Sequence, residues 1–74
     1  MTVIDFLKNN KVGGCYRIHI VCRNETLYEG LAQDFRRLPD SALFDRKICG
    51  VGAEVYKPCE GLYEGCILIR VWQR

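Results

Sequence analysis

The sequence contains no hydrophobic run approaching the roughly 18 residues that a membrane-spanning helix requires, so no transmembrane segment is expected. Charge of one sign does not dominate either. Eleven Lys and Arg stand against nine Asp and Glu, a net charge of +2, and the charges are interspersed rather than clustered as in a dedicated nucleic-acid domain. No zinc knuckle is present: Cys15, Cys22, Cys49, Cys59 and Cys66 are separated by six, twenty-six, nine and six residues, and none of these is the short C-x-x-C spacing. The odd cysteine count argues against a disulfide framework, as does a start (Met1 to Lys8) without a basic-then-apolar leader. The thiols therefore read as free in a reducing, cytoplasmic compartment, with Cys22 and Cys66 as small buried hydrophobes. No metal and no cofactor is expected.

Enzyme signatures are missing as well. His19 is the single histidine, and local sequence fixes no nucleophile or acid beside it, although a strand pairing would bring Glu25 or Glu29 near. Gly13-Gly14 is followed by no Walker lysine-serine pair. Asp34, Asp40 and Asp45 have no paired-acid spacing. A non-enzymatic protein is expected.

What the sequence does contain is a globular composition, 49% hydrophobic and 27% charged over 74 residues. That is one domain, residues 1–74, with a thin core. Thr2 followed by Val-Ile-Asp-Phe-Leu-Lys predicts a short N-terminal helix. Thr2 caps it, Asp5 completes a capping box, and Val3, Phe6 and Leu7 form the docking face. Asn9 to Gly14 ends it.

From Cys15 to Cys22 the chain alternates, with Tyr16, Ile18, Ile20 and Cys22 on one face and Arg17, His19, Val21 and Arg23 on the other. Arg23-Asn24-Glu25 reads as a hairpin turn and Thr26–Gln33 as the returning strand, where Gly30 marks a bulge or a close backbone approach. Arg36 to Asp45, with Pro39 suited to a first turn, predicts a short helix. Arg46–Tyr56 and Leu62–Trp72 are the third and fourth strands around a Lys57–Gly61 turn. Ile67, Ile69 and Val71 face the core, and the dense apolar run suggests a central strand. The expected fold is α+β and mostly β: a short N-terminal helix, then two β-hairpins joined by a short helix, in a sheet that bends toward a small barrel.

Glu25-Thr26-Leu27-Tyr28-Glu29-Gly30 recurs as Glu60-Gly61-Leu62-Tyr63-Glu64-Gly65. Two copies make no solenoid, and the match reads as analogy between the returning strands of two hairpins.

Two functional readings follow. The first is a small interaction or accessory protein that assembles through sheet edges, with a protein partner or a second copy of itself. The second is a barrel-like single-stranded nucleic-acid binder. If the first and fourth strands are neighbours, Arg17, His19, Arg23, Arg70 and Trp72 share one face, where cations neutralise phosphates and the indole stacks a base. Arg36-Arg37 and Asp45-Arg46-Lys47 read as solvent-facing charges beside the short helix.

Leu27-Tyr28-Glu29-Gly30-Leu31-Ala32-Gln33-Asp34, Leu38-Pro39, Leu43, Asp45-Arg46-Lys47-Ile48 and the closing Ile67-Leu68-Ile69-Arg70-Val71 resemble small phage and prophage proteins of Gram-positive bacteria. Those proteins pair an amphipathic start with an aromatic-Glu-Gly strand and a final I-x-I-x-V strand. The resemblance implies a prophage origin and transfers no activity or functional residue. A fainter likeness is to Sm-like barrels, through the N-terminal helix and a strand returning through Leu-x-x-Gly.

Overall fold

The N-terminal cap forms as the sequence predicts. Thr2 is extended, its hydroxyl accepts the Asp5 N–H at 3.3 Å, and the Asp5 carboxylate accepts the Thr2 N–H at 3.4 Å. Two otherwise orphaned donors are satisfied and α1 runs over Val3–Asn9. In the computed structural model, which describes residues 1–38, 42–57 and 59–73, five further elements follow. They are β1 (Arg17–Cys22), β2 (Glu25–Leu31), α2 (Ala32–Arg36), β3 (Ile48–Tyr56) and β4 (Glu64–Val71).

The strands form one sheet in the order β2-β1-β4-β3. Each hairpin is antiparallel, and the two are joined along a parallel β1–β4 seam that pairs Ile18 with Ile67 and Ile20 with Ile69. The apolar last strand is central, as its composition suggests. The sheet is open, however, with β2 and β3 as its edges, and it does not close into a barrel.

Alternation along β1 is clean. Ile18, Ile20 and Cys22 are buried, whereas Tyr16, placed by periodicity on the same face, precedes the strand and stays exposed. The core gathers Val3 and Leu7 of α1, Ala32 and Phe35 of α2, and Ile69 and Val71 of β4 around the β1 isoleucines. Phe35 is fully buried and meets Tyr28 and Phe44 edge-on at 5.1 and 5.0 Å.

The linking helix lies earlier than expected. Residues 32–36 are helical rather than the end of a strand, because Ala32 and Phe35, three apart, share a face that drops into the core. Ala42–Asp45 forms a turn, and Pro39, Asp40 and Ser41 of the expected helix lie outside the described residues.

The repeated segments are also not equivalent. All six residues of the first copy lie in β2, whereas Leu62 and Tyr63 of the second are exposed in the loop before β4. Gly30 marks a close approach, since a Cβ there would come within 2.9 Å of the Tyr28 hydroxyl. The bulge sits elsewhere, where the β1–β2 register shifts between Ile20 and Val21. Gly65 has open space around it.

Candidate functional site

The helices cover one face of the sheet and leave the other to solvent. Register places Arg17 and His19 of β1, Cys66, Leu68 and Arg70 of β4, and Glu54 of β3 on the open face. Glu29 joins them as the direct cross-strand partner of His19. Glu54 reaches across β4, so that its Oε1 lies 2.6 Å from His19 Nδ1, and Glu29 Oε2 lies 3.8 Å from the same nitrogen. The other ring nitrogen is 2.9 Å from the Thr26 hydroxyl. His19 is therefore held at both nitrogens by side chains from β2 and β3.

Beneath this cluster lies Cys66, 4% exposed although it belongs to the open face. Burial, reinforced by the neighbouring Glu54 and Glu29 carboxylates, pushes its thiol up to about 11. Arg17 lies over the Tyr56 ring with its guanidinium carbon 3.6 Å from the centroid, while its buried Nε has no hydrogen-bond partner.

The five residues assigned to one binding face thus separate into two groups. Arg17 and His19 are engaged by Tyr56 and by the carboxylates. Arg23, Arg70 and Trp72 instead border a cleft of about 500 Å³ beyond the ends of β1 and β4, together with Cys22, Cys49 and Gln73. Trp72 is 62% exposed there. Its other side borders a smaller hollow of about 250 Å³ with Asp45, Arg46 and Lys47. Arg46 does more than face solvent: its Nη1 donates to the Trp72 carbonyl at 2.9 Å, and the Trp72 N–H donates to the Lys47 carbonyl, also at 2.9 Å.

A third feature is the edge formed by β3. Met1 and Thr2 cover only its start, where Ile48 N–H donates to the Met1 carbonyl and Thr2 bridges Lys47. Among the described residues no strand lies against the rest. Val51, Ala53 and Val55 point to the helix-bearing side, in register with Ile69, Ile67 and Gly65, yet remain exposed. Val51 is 47% and Val55 68% exposed.

Glu54 carries no signal in the sequence, and Arg46 and Lys47 read there only as solvent-facing charges. Gly50 and Gly52 interrupt the alternation of β3 and hide which way Glu54 points. Only the fold brings residues 46 and 47 beside residue 72. Among the described residues no helix is long and apolar enough to cross a membrane. No family model matches the chain, and neither a curated protein nor a solved structure does.

Proposed function

We propose that this chain is a small non-enzymatic interaction module, a cytoplasmic accessory protein of prophage origin, that assembles by pairing its β3 edge with a second copy. The observation that carries the reading is the unguarded edge. Natural edge strands are blunted by lysine, proline, charge or a covering element. Over Ile48–Tyr56 the only charged residue is Glu54, and its side chain is turned to the opposite face and bonded to His19. The other edge, β2, carries Glu25 and Glu29 and a register shift.

The strand is also self-complementary. Antiparallel pairing about Ala53 sets Val51 against Val55 on both sides of the two-fold axis and Glu54 against Gly52, so no like charges oppose. Light scattering across a concentration series tests this. The native chain should shift toward twice the monomer mass, and Val55→Lys should hold it monomeric with its circular dichroism unchanged. A native chain that stays monomeric at high concentration sinks the self-association reading. Phage genes flanking its own would support the origin.

The setting of Trp72 favours a second reading, binding of single-stranded nucleic acid. Arg23, Arg46, Lys47 and Arg70 surround an exposed indole with one opposing carboxylate, Asp45, which suits phosphate neutralisation with base stacking. Binding to single-stranded DNA and RNA should weaken steeply with salt and drop on Trp72→Ala. Absence of binding at low salt removes this reading.

A further inference from the structure

The geometry points to a divalent-cation site on the open sheet face, with His19 Nδ1 and one carboxylate oxygen each from Glu29 and Glu54 as ligands. The three ligand atoms lie within 4.8 Å of one another. Each is presented by a different strand, β1, β2 and β3, so their approach is a product of tertiary structure and not of local spacing. A tetrahedral zinc ion with bonds near 2.0–2.1 Å separates its ligand atoms by roughly 3.3 Å. His19 and Glu54 are closer than this and Glu29 slightly farther, at 2.6 and 3.8 Å. Small side-chain rotations reach the required spacing.

Charge balance favours the ion. Two carboxylates and a neutral imidazole together match a +2 charge. With a proton on the ring instead, one carboxylate is left uncompensated, and Arg17 on the same face is committed to the Tyr56 ring. The second independent feature is Thr26. A histidine that binds metal through one nitrogen normally has the other tied to an oxygen, which fixes the ring. The Thr26 hydroxyl 2.9 Å from Nε2 meets that need. A hydroxyl both donates and accepts, so the ring keeps its pose whether Nδ1 carries a proton or a metal.

Imidazole with two carboxylates suits first-row transition ions better than magnesium or calcium, which prefer all-oxygen sets. His19 is 16% exposed and the two glutamates 37% and 46%, so the site opens to solvent and leaves a position for water. The absence of a cysteine knuckle has no bearing on it, because none of its ligands is a thiol.

The test must separate this site from adventitious thiol binding. Chelator-treated protein carrying Cys15→Ser, Cys49→Ser and Cys59→Ser, which removes the exposed thiols, is titrated calorimetrically with Zn²⁺ and with Mn²⁺. One ion per chain is expected. His19→Gln and Glu54→Gln should each weaken binding about a hundredfold, and Thr26→Val about tenfold. Glu29→Gln, at the most exposed of the three positions, provides a ligand variant with little risk to the fold, which circular dichroism checks throughout. In the same triple-serine chain, Co²⁺ should give ligand-field bands without thiolate charge-transfer absorption. Failure of both ions to bind, unchanged affinity in folded His19→Gln, or a thiolate band with Co²⁺ each overturns the assignment.

Discussion

Arg17 spans the sheet to Tyr56: a β1 side chain lies 3.6 Å from the ring centroid of a residue on the far edge strand, with β4 between them. The contact clips the second hairpin to the first above the seam that joins them. A part-buried cation over an aromatic face contributes about 0.5–2 kcal/mol. Tyr56→Leu keeps apolar bulk and removes the π-face, so it should lower stability by about that amount. In urea unfolding the midpoint should fall with little change in slope. A double-mutant cycle with Arg17→Met isolates the pair, and zero coupling energy would show that the two residues merely sit side by side.

Gly30→Ala should destabilise through one atom. The added methyl would meet the Tyr28 hydroxyl, itself fixed by donating to the Leu31 carbonyl at 2.8 Å. Overpacking of this kind costs about 1–3 kcal/mol. Tyr28→Phe removes the obstructing oxygen, so the double variant should unfold at higher denaturant than Gly30→Ala alone. If it does not, the strain lies in the backbone.

How far the sequence reveals this molecule depends on the range of each signal. Thr2 with Asp5, and the isoleucines of β1, act within one turn or one strand, and both read correctly. Period two also put Cys66 opposite the core-facing Ile67. Cys66 is buried, as its residue type suggests, but period two could not show that the Glu54 and Glu29 carboxylates would stand beside the thiol. Phe35 reads as inward at even spacing from Leu27 and Leu31 along a strand, whereas Ala32 and Phe35, three apart, share a face only in a helical turn. The His19 cluster was half legible, since hairpin pairing brings Glu29 opposite. Glu54 arrives from a strand two places away across the sheet, and only tertiary register reveals it.

Cys66 should be the slow thiol. With its pKa raised from 9.0 to about 11, it carries almost no thiolate at neutral pH, whereas Cys15, Cys49 and Cys59 are exposed. A disulfide reagent at neutral pH should modify those three first and Cys66 only on unfolding. The same shift sets a pH trend. The folded state holds the thiol proton more tightly than the unfolded chain. This contribution is therefore complete below about pH 9 and is lost as pH rises toward 11. Cys66→Ala should flatten that part of the alkaline unfolding curve.

Thr2→Ala removes the capping box and should cost about 1 kcal/mol, a fall of roughly 4–8 °C in Tm for a domain of this size. Thr2→Asp should restore most of it. Equal melting of native and Thr2→Ala protein would show that α1 is held by its Val3 and Leu7 contacts alone.

The parallel seam between β1 and β4 governs the order in which the molecule can be made. Each hairpin closes locally, but Ile18 meets Ile67 only after β2, α2 and β3 have been made. An emerging chain holds α1 and the first hairpin with a bare isoleucine flank until the last strand leaves the ribosome. Contacts so distant along the chain slow folding. The eight-residue β4 is thus the keystone, and truncation within it should undo the second hairpin and the seam together rather than leave a smaller domain.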